Sequence, residues 1–69
     1  MPLVISSVVR EIEYEDLTAA LDITFSSGKT YTYYLVPRDV YERFVAASSK
    51  GEFFNEQIKD RYSFRQKKD

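Results

Sequence analysis

Apolar and polar residues alternate most regularly between positions 17 and 25. Leu17, Ala19, Leu21, Ile23 and Phe25 fall on one side of an extended chain, with Thr18, Ala20, Asp22 and Thr24 on the other. A period of two marks a strand with one buried face, so this stretch predicts the second strand of a sheet. Upstream, Val9, Ile12 and Tyr14 mark a first strand over residues 7–14, but the step from Val9 to Ile12 is three. A bulge near Arg10-Glu11 returns all three to one face, and Glu15-Asp16 then supplies a turn. Ser26-Ser27-Gly28-Lys29 reads as a tight hairpin in which Gly28 is free to take a positive φ. A third strand over residues 30–36 sets Tyr31, Tyr33 and Leu35 on one face and Thr30, Thr32, Tyr34 and Val36 on the other.

The period changes after Pro37, which cannot continue a strand and suits a helix start. Val40, Tyr41, Phe44 and Val45 form an apolar stripe at helical spacing, predicting a helix over residues 38–47. Ser48 or Ser49 is placed to cap a second helix over residues 51–61, which carries Phe54 and Ile58 four apart, with Phe53 and Tyr62 at its flanks. Residues 63–69 hold little apolar content beyond Phe64, so fraying is expected for residues 66–69 and for residues 1–5. The fold expected is α+β, a single domain: a three-stranded antiparallel meander followed by two short helices on one sheet face. Its core should hold Leu21, Ile23, Phe25, Tyr31, Tyr33, Leu35, Val40, Phe44, Phe54 and Ile58.

Composition narrows the chemistry. The 69 residues contain no cysteine and no histidine. Disulfides, thiolate metal sites, the commonest metal ligand and the usual general base are thereby removed. Ser6 and Ser7 have no histidine for a triad, and no Ser-Lys pairing with Lys29 or Lys50 stands out. Neither an enzyme nor a bound cofactor, metal or small-molecule substrate is expected. Five Phe and six Tyr provide the area a short chain needs, each burying roughly 150–250 Å² when inside. The start, Met1-Pro2-Leu3-Val4-Ile5, has no basic or long apolar run, so neither a signal peptide nor a membrane span is read there. With cysteine absent, a cytoplasmic, reducing location is favoured.

The net charge of −1 hides a polarity. Glu11, Glu13, Glu15, Asp16 and Asp22 dominate the first half, and Lys59, Arg61, Arg65, Lys67 and Lys68 dominate the end. A basic, partly aromatic end is one footprint of nucleic-acid contact; a solvated tail has the same composition. Arg61 and Arg65 are able to grip phosphate in two-pronged fashion; the alternative pairs Arg61 with Glu11 or Glu13 while Tyr62 anchors the core. Tyr31 and Tyr33 are able to stack bases, yet their register with Leu35 suits the core. Ser49-Lys50-Gly51 opens a helix and suits either a phosphate or a plain capped turn. There Gly51 would relieve the chain and Asn55 would tie the turn to the sheet.

These features together resemble one family. Ser6-Ser7 leads into Val9, Ile12 and Tyr14. Leu21-x-Ile23-x-Phe25 precedes Ser27-Gly28, and the pair Tyr31-x-Tyr33 follows. Val36-Pro37, Val40-Tyr41, Ser49-Lys50-Gly51 with Phe54-Asn55, and finally Ile58, Arg61 and Tyr62 complete the ordered set. This set is similar to the KTSC domain, a short module found alone in bacterial and phage proteins and at the C-terminus of some lysyl-tRNA synthetases. The resemblance covers about residues 6–65. Glu13 stands where members often have Gly, and Glu15 where they often have Asp; both keep a polar turn. The family has no established activity, and its synthetase context suggests RNA binding. The expected nucleic-acid contacts are Lys50, Lys59, Arg61, Arg65 and Tyr34. The alternative is a protein-interaction or structural module that docks a partner or a second copy through Thr18, Ala20, Thr24, Thr32, Tyr34 and Val36. A monomer is favoured over an oligomer.

Overall fold

The computed structural model describes residues 9–67. Strands β1 (Val9–Glu15), β2 (Ala20–Phe25), β3 (Thr30–Tyr33) and β4 (Phe64–Lys67) form one antiparallel sheet in the order β1-β2-β3-β4. Between β3 and β4 the chain builds α1 (Arg38–Ala46) and α2 (Lys50–Phe53), and α2 runs on as a π-helical segment, Phe54–Ile58. The α+β class and the strand–strand–strand–helix–helix order are as expected. The fourth strand is not: residues 66 and 67, expected to fray, pair with β3, while residues 1–8, 68 and 69 lie outside the described residues.

The bulge in β1 is present. Val9 faces Phe25 and Glu11 faces Thr24, so two β1 residues span one β2 step at Arg10. The extra residue restores Val9, Ile12 and Tyr14 to the core side. The loops at the far end of the sheet depart from the expected alternation. Residues 16–19 form the turn, and β2 begins only at Ala20. Leu17, expected on the buried face, is 92% exposed, and Ala19 takes a left-handed φ of 58°. Leu35 does the same at 57°. That one residue ends the strand and inverts the alternation: Leu35, expected in the core, turns out 77% exposed, and Val36, expected on the open face, is fully buried. Left-handed backbone costs an L-residue roughly 1–2 kcal/mol. The two loops hold each other, because Val36 N–H donates to the Ala19 carbonyl at 2.9 Å and Tyr14 Oη donates to the Val36 carbonyl at 2.6 Å.

α1 starts after Pro37, whose extended backbone leaves its carbonyl free to accept from Val40 and Tyr41. Ser49 caps α2, its hydroxyl accepting from Glu52 N–H at 3.3 Å. The π-helical turn closes with Lys59 N–H donating to the Phe54 carbonyl at 2.8 Å. Val40 and Phe44 of α1 and Ile58 of the π segment cover Leu21, Ile23, Tyr33 and Val36. Phe25, Tyr31 and Phe54, expected inside, are half-buried at the margin of this cluster. Each fully buried aliphatic or aromatic side chain contributes roughly 1.5–3 kcal/mol. Among the described residues no helix is long and apolar enough to cross a membrane.

Candidate functional site

Strand pairing decides which side chains share a face. Tyr33 lies opposite Phe64 and Tyr31 opposite Gln66, on the helix side. Thr32 lies opposite Arg65 and Thr30 opposite Lys67, on the open side. β4 therefore sorts its residues, with Phe64 and Gln66 toward the helices and Arg65 and Lys67 away from them.

On the helix side, Phe25, Tyr31, Tyr33, Phe54 and Phe64 line an open groove of about 350 Å³, with Lys59 and Asp60 on its rim. The rings form a continuous set. Tyr33 stacks on Phe64 at 5.3 Å between centroids, and Phe54 meets Tyr33 edge-on at 5.6 Å. Phe25 meets Phe54 at 5.2 Å and Tyr31 at 5.8 Å. Such contacts add roughly 0.5–1.5 kcal/mol each beyond burial. Burial first, then Tyr31 and Asp60, pushes the Tyr33 phenol up to about 12. Phe64 remains 54% exposed.

On the open side, Thr32, Tyr34, Arg65 and Lys67 surround a hollow of about 330 Å³. Tyr34 reaches it because its N–H donates to the Ser63 carbonyl at 2.9 Å, which carries the β3–β4 ladder one step further. Tyr34 is 40% exposed. Lys67 Nζ lies 3.3 Å from Asp22 Oδ2, and Asp22 Oδ1 accepts from Thr32 Oγ1 at 2.7 Å. Thr24 and Thr30 hydroxyls meet at 2.9 Å beside them. Glu11, Glu13 and Glu15 face Thr24, Asp22 and Ala20 on this same side, with two strands between them and Arg65. The open face is thus acidic along β1 and basic along β4.

The residues expected to contact nucleic acid do not form one cluster. Arg65 and Tyr34 come together, and Lys67 joins them. Lys59 sits on the rim of the aromatic groove instead. Lys50 Nζ donates to the Ala47 carbonyl at 3.0 Å, closing the end of α1. Arg61 Nε donates to the Glu56 carbonyl at 3.3 Å rather than to Glu11 or Glu13. Tyr62 is half-buried against the core. Gly51 is buried within the helix; the left-handed glycine is Gly28, at φ 95°. Asn55 is exposed on the π-helical segment. Thr18 lies in the turn before β2, so with Val36 buried the docking face drawn from the sequence loses two members. The aromatic groove itself escapes the sequence pattern because Phe64 reads as part of a tail. Among the described residues no group of three or more Asp or Glu side chains is placed to hold a metal.

The KTSC domain family model matches residues 5–62. A lysine–tRNA ligase of Nostoc punctiforme is 43% identical over 60 residues, covering 87% of this chain and 11% of that protein. The corresponding ligase of Trichormus variabilis is 38% identical over the same length and shares. The chain thus spans about a tenth of these ligases. A protein of Tsukamurella paurometabola is 37% identical over 57 residues, covering 83% of this chain and 85% of that one. Among solved structures, a KTSC domain protein from Yersinia pestis superposes with a TM-score of 0.88 at 35% identity, covering 91% of this chain and 89% of that one.

Proposed function

The chain belongs to the KTSC domain family, and from that premise we propose that it is a non-enzymatic accessory module that contacts single-stranded RNA through Tyr34, Arg65 and Lys67. The observation that carries this reading is the β3–β4 pairing, which sets an exposed phenol and two cations around one hollow. Tyr34 offers a face on which a base stacks, an interaction worth roughly 1–3 kcal/mol. Arg65 reaches a phosphate on one side of that base, and Lys67 reaches one on the other by exchanging its 3.3 Å contact with Asp22 for it. Relatives that are lysine–tRNA ligases support RNA as the polyanion. The row Glu11, Glu13 and Glu15 repels a backbone from the β1 side and confines it to β4. Tyr31 and Tyr33 are held in the ring cluster and take no base.

Two phosphate contacts give weak binding, with a log–log salt slope of about −1.4 on a single strand. Fluorescence anisotropy with short labelled RNAs tests this. Tyr34→Ala and Arg65→Ala should each weaken binding severalfold, while Lys50→Ala changes little. Absence of binding at low salt, or binding that salt does not move, refutes the reading. A second reading rests on Phe64, whose exposed ring opens the aromatic groove to an apolar protein segment. Chemical-shift changes confined to Phe25, Tyr31 and Phe64 on adding a partner would favour it.

A further inference from the structure

Among the described residues, β1 and β4 are the two outermost strands, each hydrogen-bonded to the sheet on one side only. Edge strands ordinarily avoid pairing with one another by carrying charge, since like charges opposite each other repel. Here the two edges carry opposite charge on the same face. β1 presents Glu11, Glu13 and Glu15; β4 presents Arg65, and also Lys67, whose Nζ lies 3.3 Å from Asp22 Oδ2 on the same face and leaves it to meet a neighbour's acid. The device that keeps edges apart is inverted.

We propose that the basic β4 edge of one molecule pairs with the acidic β1 edge of a second copy, extending the sheet reversibly from chain to chain. The geometry admits it directly. In a four-stranded antiparallel meander, β1 and β4 run in opposite directions, so a second copy in the same orientation offers β1 antiparallel to β4. One register sets Glu13 opposite Arg65 and Glu11 opposite Lys67. The alternation then sets Tyr14 opposite Phe64 on the helix side, where Phe64 is otherwise 54% exposed. A shift of two residues sets Glu15 opposite Arg65 and Glu13 opposite Lys67, which again matches acid with base. Pairing β4 with β4 about a two-fold axis fails the same check, because equivalent faces must meet and Arg65 falls opposite Arg65 or Lys67. The contact is therefore head-to-tail, which closes as a ring or stays open as a short run.

Two charge-reversed chains test it by sedimentation velocity and light scattering, with circular dichroism confirming that each folds. In the first, Glu11→Lys, Glu13→Lys and Glu15→Lys make both edges basic. In the second, Arg65→Glu and Lys67→Glu make both edges acidic. Wild type should show a mass that rises with concentration at low salt and returns to monomer at high salt. Each reversed chain should stay monomeric alone, and an equimolar mixture of the two should associate again. If Arg65→Glu with Lys67→Glu unfolds the chain, Arg65→Gln with Lys67→Gln should still abolish wild-type association. A wild type that is monomeric at low salt up to its solubility limit overturns the proposal. So does a mixture that fails to reassociate. Neither outcome involves RNA, so the RNA reading stands or falls separately.

Discussion

Replacing Tyr14 by Phe removes one oxygen atom and tests how the sheet is fastened to the helices. Tyr14 Oη donates to the Val36 carbonyl at 2.6 Å, while its ring stacks on Tyr41 at 4.8 Å with an 11° tilt. The variant keeps the stack and loses the hydrogen bond. Val36 is fully buried, so the carbonyl left behind loses its partner at a site with little access to water. A typical hydrogen bond contributes about 0.5–1.5 kcal/mol, and a buried acceptor left unpaired costs about 1–3 kcal/mol. The expected loss is about 2 kcal/mol, a large share of the roughly 3–10 kcal/mol that a domain of this size possesses. An unfolding entropy of roughly 0.14 kcal/mol/K for 69 residues converts this to a melting point lower by about 14 °C. Calorimetry and urea titration measure both quantities, with Tyr34→Phe on the exposed side as the neutral control. A loss under about 0.5 kcal/mol would show that the bond is not what joins the layers.

Two further outcomes follow from the same structure. The Tyr33 phenol is raised to about 12 from an ordinary 10 by burial first, then by Tyr31 and Asp60. Because the folded state holds this proton more tightly than the unfolded state, the stability it contributes is complete below pH 10 and is lost as pH rises toward 12. Phenolate absorbance should show the Tyr33 phenol titrating above its ordinary 10, and Tyr33→Phe should flatten the alkaline fall in stability. Leu35→Gly should leave the domain no less stable, with a gain of up to about 1 kcal/mol, because it relieves a left-handed backbone and removes a side chain that packs on little. A loss above that size would mean the Leu35 side chain is held by contacts its exposure does not suggest.

Periodicity was informative wherever a strand or helix buries one face. β2, the hairpin at Gly28, the bulge in β1 and the α1 stripe were all legible for that reason. Periodicity failed at Leu35 because left-handed backbone at a leucine has no compositional mark, yet a single such residue reverses the side of everything after it. It failed at β4 for a different reason. All four of its residues are exposed, so the strand exists through main-chain pairing with β3 and leaves no buried alternation to read. The candidate sites inherit these two failures. Tyr34 and Arg65 were legible as surface groups, but only β4 pairing shows that they meet and that Lys67 joins them. The partners of Lys50 and Arg61 were illegible in sequence because their acceptors are backbone carbonyls, which every residue has.

The bulged start of β1 lies against the last residue of β2, and the end of β4 lies against the first residue of β3. Val9 and Lys67 therefore leave the sheet at the same rim, the one closed by the hairpin at Gly28. A tether, a label or a larger protein joined through either residue gathers at that rim. The opposite rim, where Leu17 and Leu35 point outward, stays clear of it. For anyone grafting this unit into another chain, the molecule behaves as a plug with both leads on one side. Extra residues belong in the hairpin, and any lengthening near Val36 would strain the bonds its N–H and carbonyl make to Ala19 and Tyr14.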